Sequence, residues 1–214
     1  MDWEPPVRVG ATVYEHLRQK ILTGEMPPGT KLTISSLAKQ YEVSRSPVRD
    51  AVLHLVREGL ATEELNRGAV VRLPSIADLV SLYHARECLE GMAASLAATH
   101  ISPSAYESLE VLIDEHGAID PTNFRLHIEY DATFHRTIRE LAQSPELSRM
   151  LEEIQGRVIV AMRSTNVGGG IHRAVDDHRE ILKAVGSGKP GPAEEAARAH
   201  IRRLRHLLEE RIYV

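Results

Sequence analysis

From Ile76 onward the sequence reads as helices only, its apolar residues recurring every three or four positions between Ser, Pro and Gly punctuation. Ser75 is placed to cap a long helix to about Ala98, with Leu79, Leu82, Tyr83, Arg86, Leu89 and Glu90 marking its faces. Ser102-Pro103 opens a shorter helix to about Gly117, Pro121 opens one to Ala142, and Ser144-Pro145 another to about Arg163. Thr165 to Gly170 reads as a loop, and Ile171 to Val185 and Pro192 to Tyr213 give the last two helices. About six helices with short connections are expected to pack as an antiparallel bundle. Aromatic residues are only 4 % of the chain, and abundant Ala, Leu, Arg and Glu favour helix over a β-sandwich or barrel, so the protein is mainly α. With 43 % hydrophobic and 26 % charged residues, disorder is excluded as the main state.

The segment before Ile76 has a different rhythm. Val13, Leu17 and Ile21 line one face of a helix over residues 11–23, closed by Gly24. Met26-Pro27-Pro28-Gly29 is a turn, after which Thr33 or Ser35 caps a short helix through Gln40 that buries Ile34, Leu37 and Ala38. A third helix runs from Ser44 to Glu58 with Val48, Val52, Leu55 and Val56 inward. Pro47 falls in its first turn, where a missing N–H costs nothing. Two β-prone runs, Leu60 to Glu63 and Ala69 to Leu73, flank the hairpin signal Leu65-Asn66-Arg67-Gly68. Pro74-Ser75 interrupts the pattern. A chain of 214 residues accommodates two small domains, so the expected division is 1–74 and 75–214.

Charge and cysteine content narrow the chemistry. Lys and Arg slightly outnumber Asp and Glu up to residue 74 and are outnumbered after it, within a net charge of −4. The balance permits a DNA-facing first part without requiring one, because phosphate binding depends on local charge placement. No apolar run approaches the roughly 20 residues that span a bilayer, and Met1-Asp2-Trp3-Glu4-Pro5-Pro6 does not read as a signal peptide. The expectation is a cytoplasmic protein with no membrane partner. The single Cys88 excludes an intrachain disulfide framework and a Cys-based zinc motif, so any metal site must come from carboxylates and the 11 His.

Short helix, turn and a helix beginning Ser44-Arg45-Ser46-Pro47-Val48-Arg49 is the layout of a helix-turn-helix whose second helix enters the major groove N-terminus first. Arg45 and Arg49 share the face opposite Val48 and Val52, which points both guanidiniums outward. Arg is shaped to grip guanine O6 and N7 together, and Ser44, Ser46 and free helix N–H groups suit phosphate oxygens. Arg67-Gly68 at the hairpin tip is placed to reach the minor groove or backbone. The run of Pro-Gly-x-x-Leu, Leu-Ala, Val-Ser-Arg-Ser-Pro-Val-Arg-Asp-Ala-Val and Glu-Gly-Leu with a Gly-tipped wing resembles the winged helix-turn-helix of the GntR family of bacterial transcription regulators over residues 11–73. The resemblance implies three helices plus a β-hairpin wing, base contacts from Arg45 and Arg49, backbone contacts from Ser44 and Ser46, and Gly68 at the wing tip. It also implies a dimer on a short palindromic double-stranded operator. Members often carry a DNA-contacting Arg where this chain has Ser35, so Ser35 is not assigned a base contact.

In the second domain Asp131 and His135 are one helical turn apart on a shared face, a spacing that a simple hydrogen-bonded pair also produces. His178 and His200, each among apolar or small neighbours, are placed inward on the last two helices. If those helices pack beside the Asp131 helix, one carboxylate and three imidazoles converge as in bundle metal sites, suiting Zn²⁺ or another divalent ion such as Ni²⁺ or Mn²⁺. Helical spacing alone admits His127 as well, while His84, His100, His116, His172 and His206 show no matched partner. The Asp-x-x-x-His pair, the His-x-x-Ile helix and the terminal Ala-x-x-x-His helix are similar to the FCD ligand-binding domain of the FadR subgroup, over roughly residues 75–210. That resemblance selects Asp131, His135, His178 and His200 as metal ligands. It also implies that Arg86 faces an effector cavity and pairs with a carboxylate, although an Arg86–Glu90 pair at i, i+4 accounts for the same residues. A metal with an open position beside a buried Arg favours a small organic acid.

The sequence is thus read as a homodimeric, effector-responsive repressor with an FCD-type effector-binding and dimerisation domain, and not as an enzyme. The competing expectation is a His/Asp metal-dependent hydrolase with an accessory N-terminal domain, since such a site can activate water. Against it, no general base is placed next to the four positions. A scaffold whose second domain only dimerises is the third.

Overall fold

The computed structural model describes residues 9–64, 68–165 and 171–210. The chain divides into two compact units between Leu73 and Pro74. The first contains α1 (Val9–Thr23), β1 (Lys31–Leu32), α2 (Ile34–Gln40), α3 (Arg45–Arg57), β2 (Ala61–Glu64) and β3 (Gly68–Val71). Its core is the apolar set that helical periodicity selects: Val13, Leu17, Ile21, Leu37, Val48, Val52 and Leu55 are all buried. The buried Glu58 ties the end of α3 to α1, accepting from Tyr14 Oη at 2.7 Å and Arg18 Nε at 2.8 Å.

The sheet differs from the expected hairpin by one strand. Its order is β1-β3-β2, antiparallel throughout, with Leu32 opposite Ala69 and Glu64 opposite Gly68. Two residues are too short to show strand periodicity, and burial of Leu32 instead decides the pairing. Gly68 permits it. Its φ is +98°, and a Cβ there would lie 2.7 Å from the Leu32 carbonyl oxygen.

The second unit contains α4 (Ile76–His100), α5 (Pro103–Gly117), α6 (Phe124–Leu141), α7 (Pro145–Thr165), α8 (Ile171–Gly186) and α9 (Pro190–Glu210). A capping box starts α4, with the Ser75 hydroxyl accepting from Asp78 N–H and the Asp78 carboxylate accepting from Ser75 N–H. This helix packs against α6, α7, α8 and α9, so it is buried on several sides. Ala93, Ala94, Ala97 and Ala98 share one core with Ala193 and Ala197 of α9. The small side chains let two backbones approach closely, and a Cβ on Gly91 would sit 2.7 Å from Arg198 Cγ.

Three boundaries move from their expected positions. α6 begins at Phe124 behind the Asn123 cap rather than at Pro121, because Asp120 Oδ1 accepts from both the backbone N–H and the hydroxyl of Thr122 and holds a turn there. α7 includes Thr165, and the rest of the expected loop, 166–170, lies outside the described residues. α9 starts at Pro190, just after Gly188 with φ +68°, and the expected end at Tyr213 is outside the described residues. These helices aim the inward faces of α4, α6, α8 and α9 at one another.

Candidate nucleic-acid interface and metal centre

At the start of α3 the backbone of Ser44 is extended and its side chain makes no capping bond. Ser44, Arg45, Ser46 and Arg49 are exposed while Val48, between the two Arg, is fully buried. Arg45, Arg49 and Gly68 line one notch of about 480 Å³ together with Lys31, Thr33, Ile34 and Ser35. Neither Arg is held in an ion pair among the described residues. Ser46 faces elsewhere, lining a groove between α1 and α3 with Gly10, Tyr14, Asp50 and His54. Arg67 lies outside the described residues. Sequence reasoning missed Lys31, whose place in the notch depends on the two-residue strand β1.

In the second unit Asp131 and His135 on α6, His178 on α8 and His200 on α9 are buried together, with one ligand atom from each lying within 4.8 Å of all the others. Asp131 Oδ1 is 3.5 Å from His178 Nε2 and 3.9 Å from His135 Nε2. The His178 ring stacks on Phe134 at 4.0 Å between centroids. Burial, reinforced by the neighbouring His200 and His135 rings, pushes the His178 imidazole well below its ordinary pKa. Burial likewise lowers His200.

The surroundings orient two of these rings. His200 Nδ1 donates to Asp177 Oδ2 at 2.9 Å, and Asp177 is itself held by Arg203 Nε at 2.7 Å. His135 Nδ1 lies 3.3 Å from Glu90 Oε2, and Arg86 Nε donates to Glu90 Oε1 at 3.1 Å. Burial alone would push the Glu90 carboxyl up, but the His135 ring and the Arg86 guanidinium outweigh it and hold it at about 2. Each carboxylate keeps its histidine's N–H on Nδ1 and turns the Nε2 lone pair inward, the arrangement that supports metal-ligating histidines. Nε2 of His135, His178 and His200 are all buried without a hydrogen-bond partner. Each such atom costs about 1–3 kcal/mol unless something meets it. Three imidazoles and one carboxylate are the donors a divalent transition ion takes, so the residues fit a metal.

Arg86 makes the intrahelical pair with Glu90 and is only 1 % exposed, its guanidinium 5.4 Å from the Tyr83 ring centroid. Its Nη2 has no partner, so the pair leaves a donor available for a carboxylate. His127, admitted by spacing, does not join the cluster; its Nε2 sits 3.1 Å from the Asp120 carbonyl oxygen. Glu90 and Asp177 as partners of the ligands were not anticipated, since each meets its histidine only after separate helices pack.

The sequence signature described as bacterial regulatory proteins, gntR family, matches residues 10–71, and that of the FCD domain matches residues 81–203. A probable D-xylose utilization operon transcriptional repressor of Paenarthrobacter nicotinovorans is 29 % identical over 90 % of this chain and 85 % of its own length. The HTH-type transcriptional regulator LutR of Bacillus subtilis (strain 168) is 27 % identical over 88 % and 95 %. Among solved structures, E. coli McbR/YncC shares the fold at a TM-score of 0.77 and 20 % identity, covering 96 % of this chain and 99 % of its own. A putative transcriptional regulator GntR from Rhodococcus sp. RHA1 does so at 0.74 and 24 %, covering 94 % and 97 %. No helix among the described residues is long and apolar enough to cross a membrane. The relatives are named as regulators, which sets aside the metal-dependent hydrolase. The chain belongs to the gntR family of bacterial regulatory proteins, and is a DNA-binding transcription regulator, not an enzyme, whose second unit is an FCD domain.

Proposed function

We propose that the chain is a cytoplasmic repressor that binds a short palindromic operator as a homodimer and is released by a small organic acid. The observation that carries this reading is the basic notch, where two outward Arg stand at the start of a helix beside a glycine-tipped strand. Arg45 and Arg49 read guanine edges, Ser44 and Ser46 contact phosphates on either side, and Arg67 with Gly68 reaches the groove beside them. Lys31 adds a phosphate contact from the floor of the notch. The repressor sense is supported by the name of the Paenarthrobacter relative.

In the second unit Asp131, His135, His178 and His200 would hold a divalent ion, zinc first, with nickel or manganese as alternatives. A bound ion would supply a Lewis-acidic open position for a carboxylate. Arg86, through its unpartnered Nη2, takes the same carboxylate and excludes uncharged analogues. Acid binding and operator binding are linked through two states of the dimer, and the acid prefers the state with lower operator affinity.

Selection of bound duplexes from random DNA, repeated with chelator and with a panel of small carboxylic acids, tests this directly. A palindrome is expected to enrich, and one or more acids should lower its recovery only when metal is present. Enrichment of no symmetric site would defeat the reading. Lys31→Ala should weaken binding to selected and scrambled duplexes alike and reduce the slope of log K against log salt by about one. A change in which sequences are preferred would instead make Lys31 a base reader.

A further inference from the structure

The groove between α1 and α3 has a volume of about 650 Å³ and lies wholly within the first unit. Ala11, Tyr14, Pro47 and Leu53 give it an apolar floor, and the His54 ring stands edge-on to Tyr14 at 5.5 Å between centroids. Its walls carry Glu15, Asp50 and Arg57, all exposed and none held in an ion pair among the described residues. No residue lining it has a buried polar atom without a partner, so nothing in it is aimed at a small polar ligand. An open trough with an apolar floor and charged walls suits a length of chain.

The protein itself supplies one. α1 begins at Val9, and the next residue, Gly10, lies against the start of α3: a Cβ there would stand 3.5 Å from the Pro47 carbonyl oxygen. Residues 1–8, which are outside the described residues, therefore join the fold at one mouth of the groove. Charges match in order. Moving away from that mouth, the groove presents Asp50 and then Arg57; moving back from Val9, the sequence presents Arg8 and then Glu4 and Asp2. Lengths match as well. Arg8 to Trp3 spans roughly 15 Å in the polyproline conformation that a Pro-Pro pair such as Pro5-Pro6 favours, and Pro47 to Arg57 spans roughly 15 Å along α3. Polyproline segments dock in aromatic-lined grooves at low entropic cost, and an indole stacks well on a guanidinium.

We propose that residues 1–8 fold back along α3 and occupy this groove, with Arg8 against Asp50, Trp3 beside Arg57, and Glu4 and Asp2 reaching the same guanidinium. The segment straps α1 to the helix that carries Arg45 and Arg49. Trp3 is the one tryptophan of the chain, so the intrinsic fluorescence of the full-length protein reports on this segment alone. Acrylamide should quench it at least about threefold less readily than it quenches a synthetic peptide of residues 1–8. Asp50→Arg and Arg57→Glu, both at exposed positions, each remove an ion pair and should raise quenching about two- to threefold toward the peptide value. Adding Arg8→Glu to Asp50→Arg should restore the protection. Wild type quenched as readily as the peptide overturns the proposal. Protection that ignores both charge reversals also overturns it, because Trp3 would then be covered elsewhere. So does protection that fades on dilution, which would give the groove to the segment of a second copy.

Discussion

His178→Ala is expected to abolish metal retention, whereas wild type purified without chelator or affinity-tag metal should carry about one ion per chain. The ring is fully buried, and its Nε2 lies 3.5 Å from the Asp131 carboxylate and has no hydrogen-bond partner. Removing it leaves two imidazoles and a carboxylate around a hole under Phe134, against which the ring had stacked. The hole itself lowers stability, so melting temperature alone does not separate lost metal from lost packing. Chelation does. Wild type should lose about 2.7 kcal/mol if the ion is present at 100 times its dissociation constant, while the variant should melt at the same temperature with or without chelator. Wild type whose stability ignores chelation, or a variant that keeps its ion, would remove the metal centre from the proposal.

Much of this centre is legible from local spacing, and the remainder is not for a definite reason. Asp131 and His135 are one helical turn apart, so any helix through them puts both on one face. Arg86 and Glu90 show the same logic. The partners that orient the ligands obey no local rule: Glu90 reaches His135 from another helix, and Asp177 reaches His200 across α8 and α9. Helix packing decides such pairs, and periodicity does not say which face meets which. The strand Lys31–Leu32 fails differently. Its two residues carry too little pattern to register, and Gly68 and the burial of Leu32 create the pairing. Lys31 was missed for the same reason, since it joins Arg45 and Arg49 only through that strand. The displaced start of α6 comes from Asp120 and Thr122 satisfying each other locally, a competition that a proline signal at position 121 does not reveal.

Arg49→Ala is expected to cost roughly 1–3 kcal/mol of affinity for the selected operator, about 5- to 150-fold, with little loss on a scrambled duplex. The asymmetry follows from the notch. Arg49 is exposed although it stands beside the buried Val48 and three residues before the buried Val52, so truncating its solvent-facing side chain should leave the core intact, with a stability change within about 0.5 kcal/mol. What it removes is a two-pronged donor suited to one base edge, and discrimination at that position should relax. Lys31 offers a single charge in the same notch, and its loss should weaken all duplexes together. Fluorescence anisotropy on selected and scrambled duplexes, at one salt concentration for both variants, separates the two roles. Equal losses on both duplexes for Arg49→Ala would mean that this guanidinium holds backbone, and the orientation of α3 in the groove would have to be turned. No loss on either would take α3 out of the groove altogether.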